Sequence, residues 1–114
     1  MTTEEILKHH LESFGTGNVD EIVKDYTEDS VIFTPDKVVK GLSEIRALFK
    51  MFTTELLPPG CDFKLLQQQI QENVAYIAWN AESESHKFYI GTDTFVIKDG
   101  KIGLQTFAAH VEKK

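Results

Sequence analysis

Apolar residues recur along this chain in two different periods, and the change of period divides it. From Thr2 onward, Leu7, His10, Leu11 and Phe14 fall at i, i+3, i+4 and i+7, one face of a helix. Thr2 followed by Glu5 is a capping-box pattern that starts it, and Gly15-Thr16-Gly17 ends it. Asn18 with Glu21 predicts a second, shorter helix carrying Val19, Ile22, Val23 and Tyr26 on its stripe. Ser30 to Thr34 reads as a short strand stopped by Pro35-Asp36, and Val38 to Lys40 as another. A third helix is predicted over residues 42–56, with Ile45, Leu48, Phe49 and Phe52 on one face, and Pro58-Pro59-Gly60 breaks the chain after it.

Beyond residue 61 the period drops to two. Residues 62–71 and 74–85 predict long strands joined at Glu72-Asn73, and residues 88–111 a hairpin around Asp99-Gly100. An Asp-Gly pair between alternating apolar residues favours a type I′ turn, which requires positive φ at both central positions. A regular register then pairs Phe95 with Leu104, Asp93 with Thr106, Gly91 with Ala108 and Tyr89 with His110, all on one face. In the preceding hairpin, Leu66 should face Trp79. Phe63, Leu65 and Tyr76 then share the opposite face with the glutamines. Helices segregated from a run of antiparallel strands predict an α+β fold. The shape expected is a cone-shaped, cystatin-like roll of three N-terminal helices packed in a curved, mixed but mainly antiparallel sheet, one domain over residues 1–114.

Composition narrows the function classes. The net charge is −6 with no cluster of Lys and Arg, which argues against nucleic acid or an anionic membrane as partner. Cys61 is the sole cysteine, and the four histidines show no metal-binding spacing, so neither a disulfide nor a metal is expected. With no signal-peptide pattern at the N-terminus and no long apolar run, a cytoplasmic location is the expectation. No motif calls for a cofactor.

The segments GNVDEIVKDYTEDSVIFTP, KGLSEIRALFKMF and GTDTFVIKDGKI resemble the nuclear transport factor 2-like superfamily. Within it they are most similar to SnoaL-like polyketide cyclases and ketosteroid-isomerase-like proteins. The resemblance implies an apolar pocket between helices and sheet, and a homodimer through the sheet. It aligns the oxyanion-hole acid of ketosteroid isomerase with Asp93 and the oxyanion-hole tyrosine with His10. The general base falls on Thr34, leaving Asp36 as the nearest carboxylate. The acid that cyclases carry on the last strand has no counterpart in Leu104 to Phe107.

Asp93 is therefore the first candidate. Burial disfavours the charged form of a carboxyl, and a protonated Asp93 could donate to an oxyanion, as the acid of ketosteroid isomerase does. The alternative is a structural carboxylate accepting bonds from neighbours such as Thr106. His10 and Asp36 are candidates for moving the proton. His9 points away from the apolar stripe. Phe14, Phe33, Thr34, Phe49, Trp79, Phe95, Thr106 and His110 are the expected pocket residues. Two functions follow: proton transfer on a small apolar carbonyl compound, or non-catalytic binding of a small ligand or of a second copy.

Overall fold

The computed structural model describes residues 1–114. Helix α1 spans Thr3–Gly15, and Thr2 and Glu5 form the reciprocal capping box, which satisfies two backbone N–H groups that the first turn leaves free. Helix α2 is a short segment, Val19–Val23, capped by Asn18. Strands β1 (Val31–Phe33) and β2 (Val38–Lys40) follow. Helix α3 (Leu42–Met51) continues into one π-helical turn, Phe52–Leu56. Strands β3 (Asp62–Gln71), β4 (Val74–Glu82), β5 (His86–Lys98) and β6 (Lys101–Lys113) complete the chain. No helix is long and apolar enough to cross a membrane.

The six strands form one open sheet in the order β2-β1-β6-β5-β4-β3. All neighbours are antiparallel except β1 and β6, so the sheet is mixed and the α+β expectation holds. The helices cover one face of it. Ile6, Leu7, Ile22, Ile45 and Phe49 meet Ile32, Ile77, Phe95 and Ile102 from the sheet in a single apolar cluster. Asp99 and Gly100 both have positive φ, 52° and 75°, as a type I′ turn requires.

Away from that turn the register departs from the regular one. Ile97 pairs with Ile102 but Val96 pairs with Leu104, so Gly103 is an extra residue in β6. Phe95 therefore faces Gln105, Asp93 faces Phe107 and Gly91 faces Ala109. A bulge of this kind flips every later side chain to the opposite face of its strand. A compensating irregularity in β5 at Tyr89 restores the count, so that Phe88 meets Val111. Strand β3 bulges likewise at Leu66: Gln67 pairs with Ala78, but Leu65 pairs with Trp79 and Phe63 with Ala81. Phe63 and Leu65 thus turn to the helix-covered face, against the expectation, and the Phe63 ring stacks on Trp79 at 5.4 Å. Bulges bend and twist the strands that carry them, which suits a sheet that wraps over helices.

Candidate functional site

A cavity of about 130 Å³ lies between the helices and the inner face of the sheet. Its wall is mostly aromatic and aliphatic: Phe14 of α1, Phe49 of α3, Phe52 of the π-turn, Phe63 of β3, Phe95 of β5 and Phe107 of β6. Against this lining stand a few polar groups, from His10, Thr34, Trp79, Asp93 and Gln105. No lysine or arginine reaches it.

Asp93 is buried on β5 at the centre of this wall. The Trp79 indole N–H donates to its Oδ1 at 2.8 Å, and the Gln105 amide Nε2 donates to its Oδ2 at 2.9 Å. Trp79 sits this close because Gly91, facing it across the strands, has no side chain; a Cβ there would lie 2.3 Å from the indole ring. Burial raises the Asp93 pKa to about 6, while both N–H donors favour the ionised form and resist the rise. Asp93 is thus a buried carboxylate that still ionises near neutrality.

The polar chain continues from Gln105. The Tyr26 hydroxyl donates to Gln105 Oε1 and lies 3.5 Å from His10 Nδ1. Tyr26 follows α2 in a loop tied to β6 by Ile102 N–H donating to the Asp25 carbonyl (2.7 Å) and by Ser30 Oγ donating to the Ile102 carbonyl (2.6 Å). His10 is buried among Phe14, Tyr26, Phe49 and Phe95, with ring centroids 5.1 to 6.4 Å away. Desolvation lowers its pKa to about 4, so its ring is neutral at physiological pH. Its Nε2 makes no hydrogen bond within the chain, and His10 is one of the residues that line the cavity. At 3.5 Å the Tyr26 contact is too long to dictate which ring nitrogen holds the proton.

Of the expected site residues, Asp93, His10, Phe14, Thr34, Phe49, Trp79 and Phe95 line the cavity. Asp36 does not: it is exposed in the β1–β2 turn, where it accepts a bond from the Thr34 hydroxyl at 3.1 Å. Phe33, Thr106 and His110 do not either. Phe33 pairs with Thr106 on the outer face, and His110 is exposed and stacks on Tyr89 at 4.8 Å. The Gly103 bulge accounts for Thr106, because it rotates Gln105 inward in its place. Gln105 was thereby missed, although a glycine inside a strand pattern, here in IGLQTF, is the recognised sign of a bulge. Cys61 also lines the cavity, but burial raises its thiol pKa and makes it a poor nucleophile. No group of three or more His, Cys, Asp or Glu side chains is arranged to hold a metal ion.

A second polar cluster lies on the other side of α1. His9 Nδ1 is 2.6 Å from Asp25 Oδ2, and His9 Nε2 is 3.1 Å from Glu21 Oε1. His9 is therefore half-buried and paired, not simply turned to solvent.

Comparison with known proteins agrees with this architecture. The SnoaL-like domain model matches residues 7–104. The enzyme SalBIII, described as epoxide hydrolase/cyclase-like and acting in pyran ring formation in the polyether salinomycin, superposes with a TM-score of 0.81 at 20% identity, over 98% of this chain and 95% of its own. A provisionally named ketosteroid isomerase from Kribbella flavida DSM 17836 gives 0.78 at 12% identity, over 95% and 77%. A provisionally named polyketide cyclase from Sinorhizobium meliloti gives 0.73 at 14% identity, over 90% and 93%. At such identities these likenesses concern the fold. No curated protein matches the chain.

Proposed function

The chain belongs to the SnoaL-like domain family, and from that premise we propose that the cavity binds a small, neutral, apolar carbonyl compound and moves a proton on it. The observation that carries this is Asp93: a carboxylate buried in an apolar wall, held at both oxygens by N–H donors, with a pKa of about 6. A group that titrates near the working pH is suited to general acid–base catalysis. The expected role of Asp93 as a protonated donor is reversed in this reading. Both of its oxygens already accept from N–H groups, which favours the ionised form, so Asp93 acts as the base.

The chemistry follows from the two ends of the polar chain. Asp93 takes a proton from carbon next to the carbonyl, the C–H electron pair forms a carbon–carbon double bond, and the carbonyl π pair moves onto oxygen. In the tautomer with its proton on Nε2, the neutral His10 ring donates a hydrogen bond to that oxygen as charge develops on it. Asp93 then returns the proton to a different carbon in an isomerisation. In a cyclisation the enolate carbon attacks a second carbonyl, whose oxygen receives the proton. A cavity of about 130 Å³ is close to the roughly 150 Å³ that holds a benzene molecule, which points to single-ring or short-chain compounds. With no cation in the wall, an anionic ligand would meet only the Asp93 charge.

The test is deuterium exchange into a panel of single-ring and short-chain ketones, with wild type beside Asp93→Asn. Exchange that the variant loses supports the reading, and equal exchange in both overturns it. One observation favours the non-catalytic alternative: Thr34, where ketosteroid isomerase has its base, turns its hydroxyl to Asp36 and the Lys37 carbonyl. Tight ketone binding without exchange would establish that alternative. We also propose a homodimer through the outer sheet face, where Phe33, Val74 and Ile90 are exposed; a monomeric mass by sedimentation at micromolar concentration would rule it out.

A further inference from the structure

Gln105 is a buried amide, 3% exposed, for which the proton-transfer chemistry above has no direct use. Its two ends have opposite requirements. An ionised carboxylate only accepts hydrogen bonds, so the NH2 end must face Asp93, as it does at 2.9 Å. The carbonyl end then needs a donor, and the Tyr26 hydroxyl provides it. Turning the amide over would bring Oε1 against an Asp93 oxygen, an arrangement that repels unless Asp93 is protonated.

What keeps the amide from turning is the placement of Tyr26. Its loop is stapled to β6 through the Asp25 carbonyl, the Ile102 N–H and the Ser30 hydroxyl, only a few residues from Gln105 on the same strand. The Tyr26 hydroxyl is thereby held against Oε1. The other donor to Asp93, Trp79, is locked separately by its packing over Gly91.

We propose that Gln105, fixed in orientation by Tyr26, is a positioning residue that holds Asp93 as a carboxylate with its remaining lone pairs open to the cavity. The inference rests on the reading of Asp93 as the reacting group, but it concerns the state of Asp93 before any substrate arrives. It also makes Tyr26 matter to the reaction without touching the ligand, since Tyr26 is absent from the cavity wall.

The experiment is a carbon-13 NMR titration of the Asp93 carboxyl in wild type, Gln105→Leu and Tyr26→Phe, with no ligand present. Removing the amide donor should move the Asp93 midpoint up by about one pH unit. Tyr26→Phe should move it in the same direction by less, because the amide remains but is free to turn. Circular dichroism establishes that each variant is folded, and if Gln105→Leu does not fold, Tyr26→Phe alone decides. Midpoints within about 0.2 pH units of wild type in the folded variants would overturn the proposal. The acid limb of the ketone-exchange profile should move in parallel with the midpoint. A shifted midpoint in a protein that exchanges no ketone would uphold the role of Gln105 and refute the proposed function. Unshifted midpoints beside active exchange would do the reverse.

Discussion

Adjacent histidines on α1 have opposite fates. His10 turns inward among aromatic rings, and desolvation lowers its pKa to about 4. His9 turns toward α2 and the turn after it, where Glu21 and Asp25 hold both ring nitrogens, and its pKa is raised by those bonds, that to Asp25 first. The carboxylates shift alike but with different partners. Asp93 is raised by burial against the pull of two neutral N–H donors. Asp25 is also raised by burial, which outweighs the pull of His9. The lesson is that adjacency in sequence sets nothing about charge. Which face of the helix a residue occupies decides whether solvent is replaced by rings or by a counter-charge. The inner chain suits proton transfer, and the outer cluster suits joining α1 to α2.

The sharpest way to break this distinction is to remove one carboxylate from each side. Asp93→Asn should lower ketone exchange by about 100-fold or more, the scale of a lost general base, whereas Asp25→Asn should leave it near wild type. Equal losses in the two variants, read by NMR exchange rates, would erase the difference between the sides.

Stability against pH provides the next contrast. The folded Asp93 pKa, about 6, lies above the ordinary aspartate value of 3.8, so the folded state holds that proton more tightly and stability falls as pH rises through this window. The folded His10 pKa, about 4, lies below 6.5, so its contribution is lost as pH falls toward 4. The two slopes oppose, and urea melts of wild type should show little net change from them between pH 4 and 6. Asp93→Asn should unmask the His10 slope. The variant should also exceed wild type in stability at pH 7, by at most roughly 3 kcal/mol less the cost of turning the Gln105 amide. A variant less stable than wild type at pH 7 would count against an unfavourable buried charge.

Effects on the outer cluster should be confined to stability. Asp25→Ala leaves His9 without its closer partner and should cost about 1–3 kcal/mol in thermal or urea melts, with exchange intact. His9→Gln should cost about 0.5–1 kcal/mol below pH 6.5, since the pair is partly screened by solvent. Because the folded His9 pKa is raised, that deficit should fade as pH climbs through it. A deficit that grows with pH would show that His9 acts by packing alone.

Much of this was legible in the sequence. The capping box at Thr2, the Asp99-Gly100 turn, the helix stripe that carries His10 and the strand that carries Asp93 all stand where local pattern placed them. The misplacements share one physical cause. Alternation assumes an unbroken register, and the bulges at Leu66 and Gly103 break it. The Leu66 bulge brought Phe63 to the cavity wall, and the Gly103 bulge exchanged Thr106 for Gln105. Asp36 was favoured by nearness in sequence to Thr34, but its turn carries it out to solvent. The pairing of His9 with Asp25 depends on how α1 packs against α2, which neither helix specifies alone.

What the sequence determined by itself is the set of elements and their amphipathic faces, because helix and strand periods and turn chemistry are local. It placed a carboxylate and a histidine on faces that must be buried. What only the tertiary structure decided is how those groups are connected. Register shifts and the stapling of the α2–β1 loop onto β6 bring Trp79, Gln105 and Tyr26 to the carboxylate. Hydrogen bonds between residues 12, 14 and 79 positions apart have no local signature. The charge state of Asp93 is set by those bonds and by burial, and both exist only once helices and sheet have closed over the cavity.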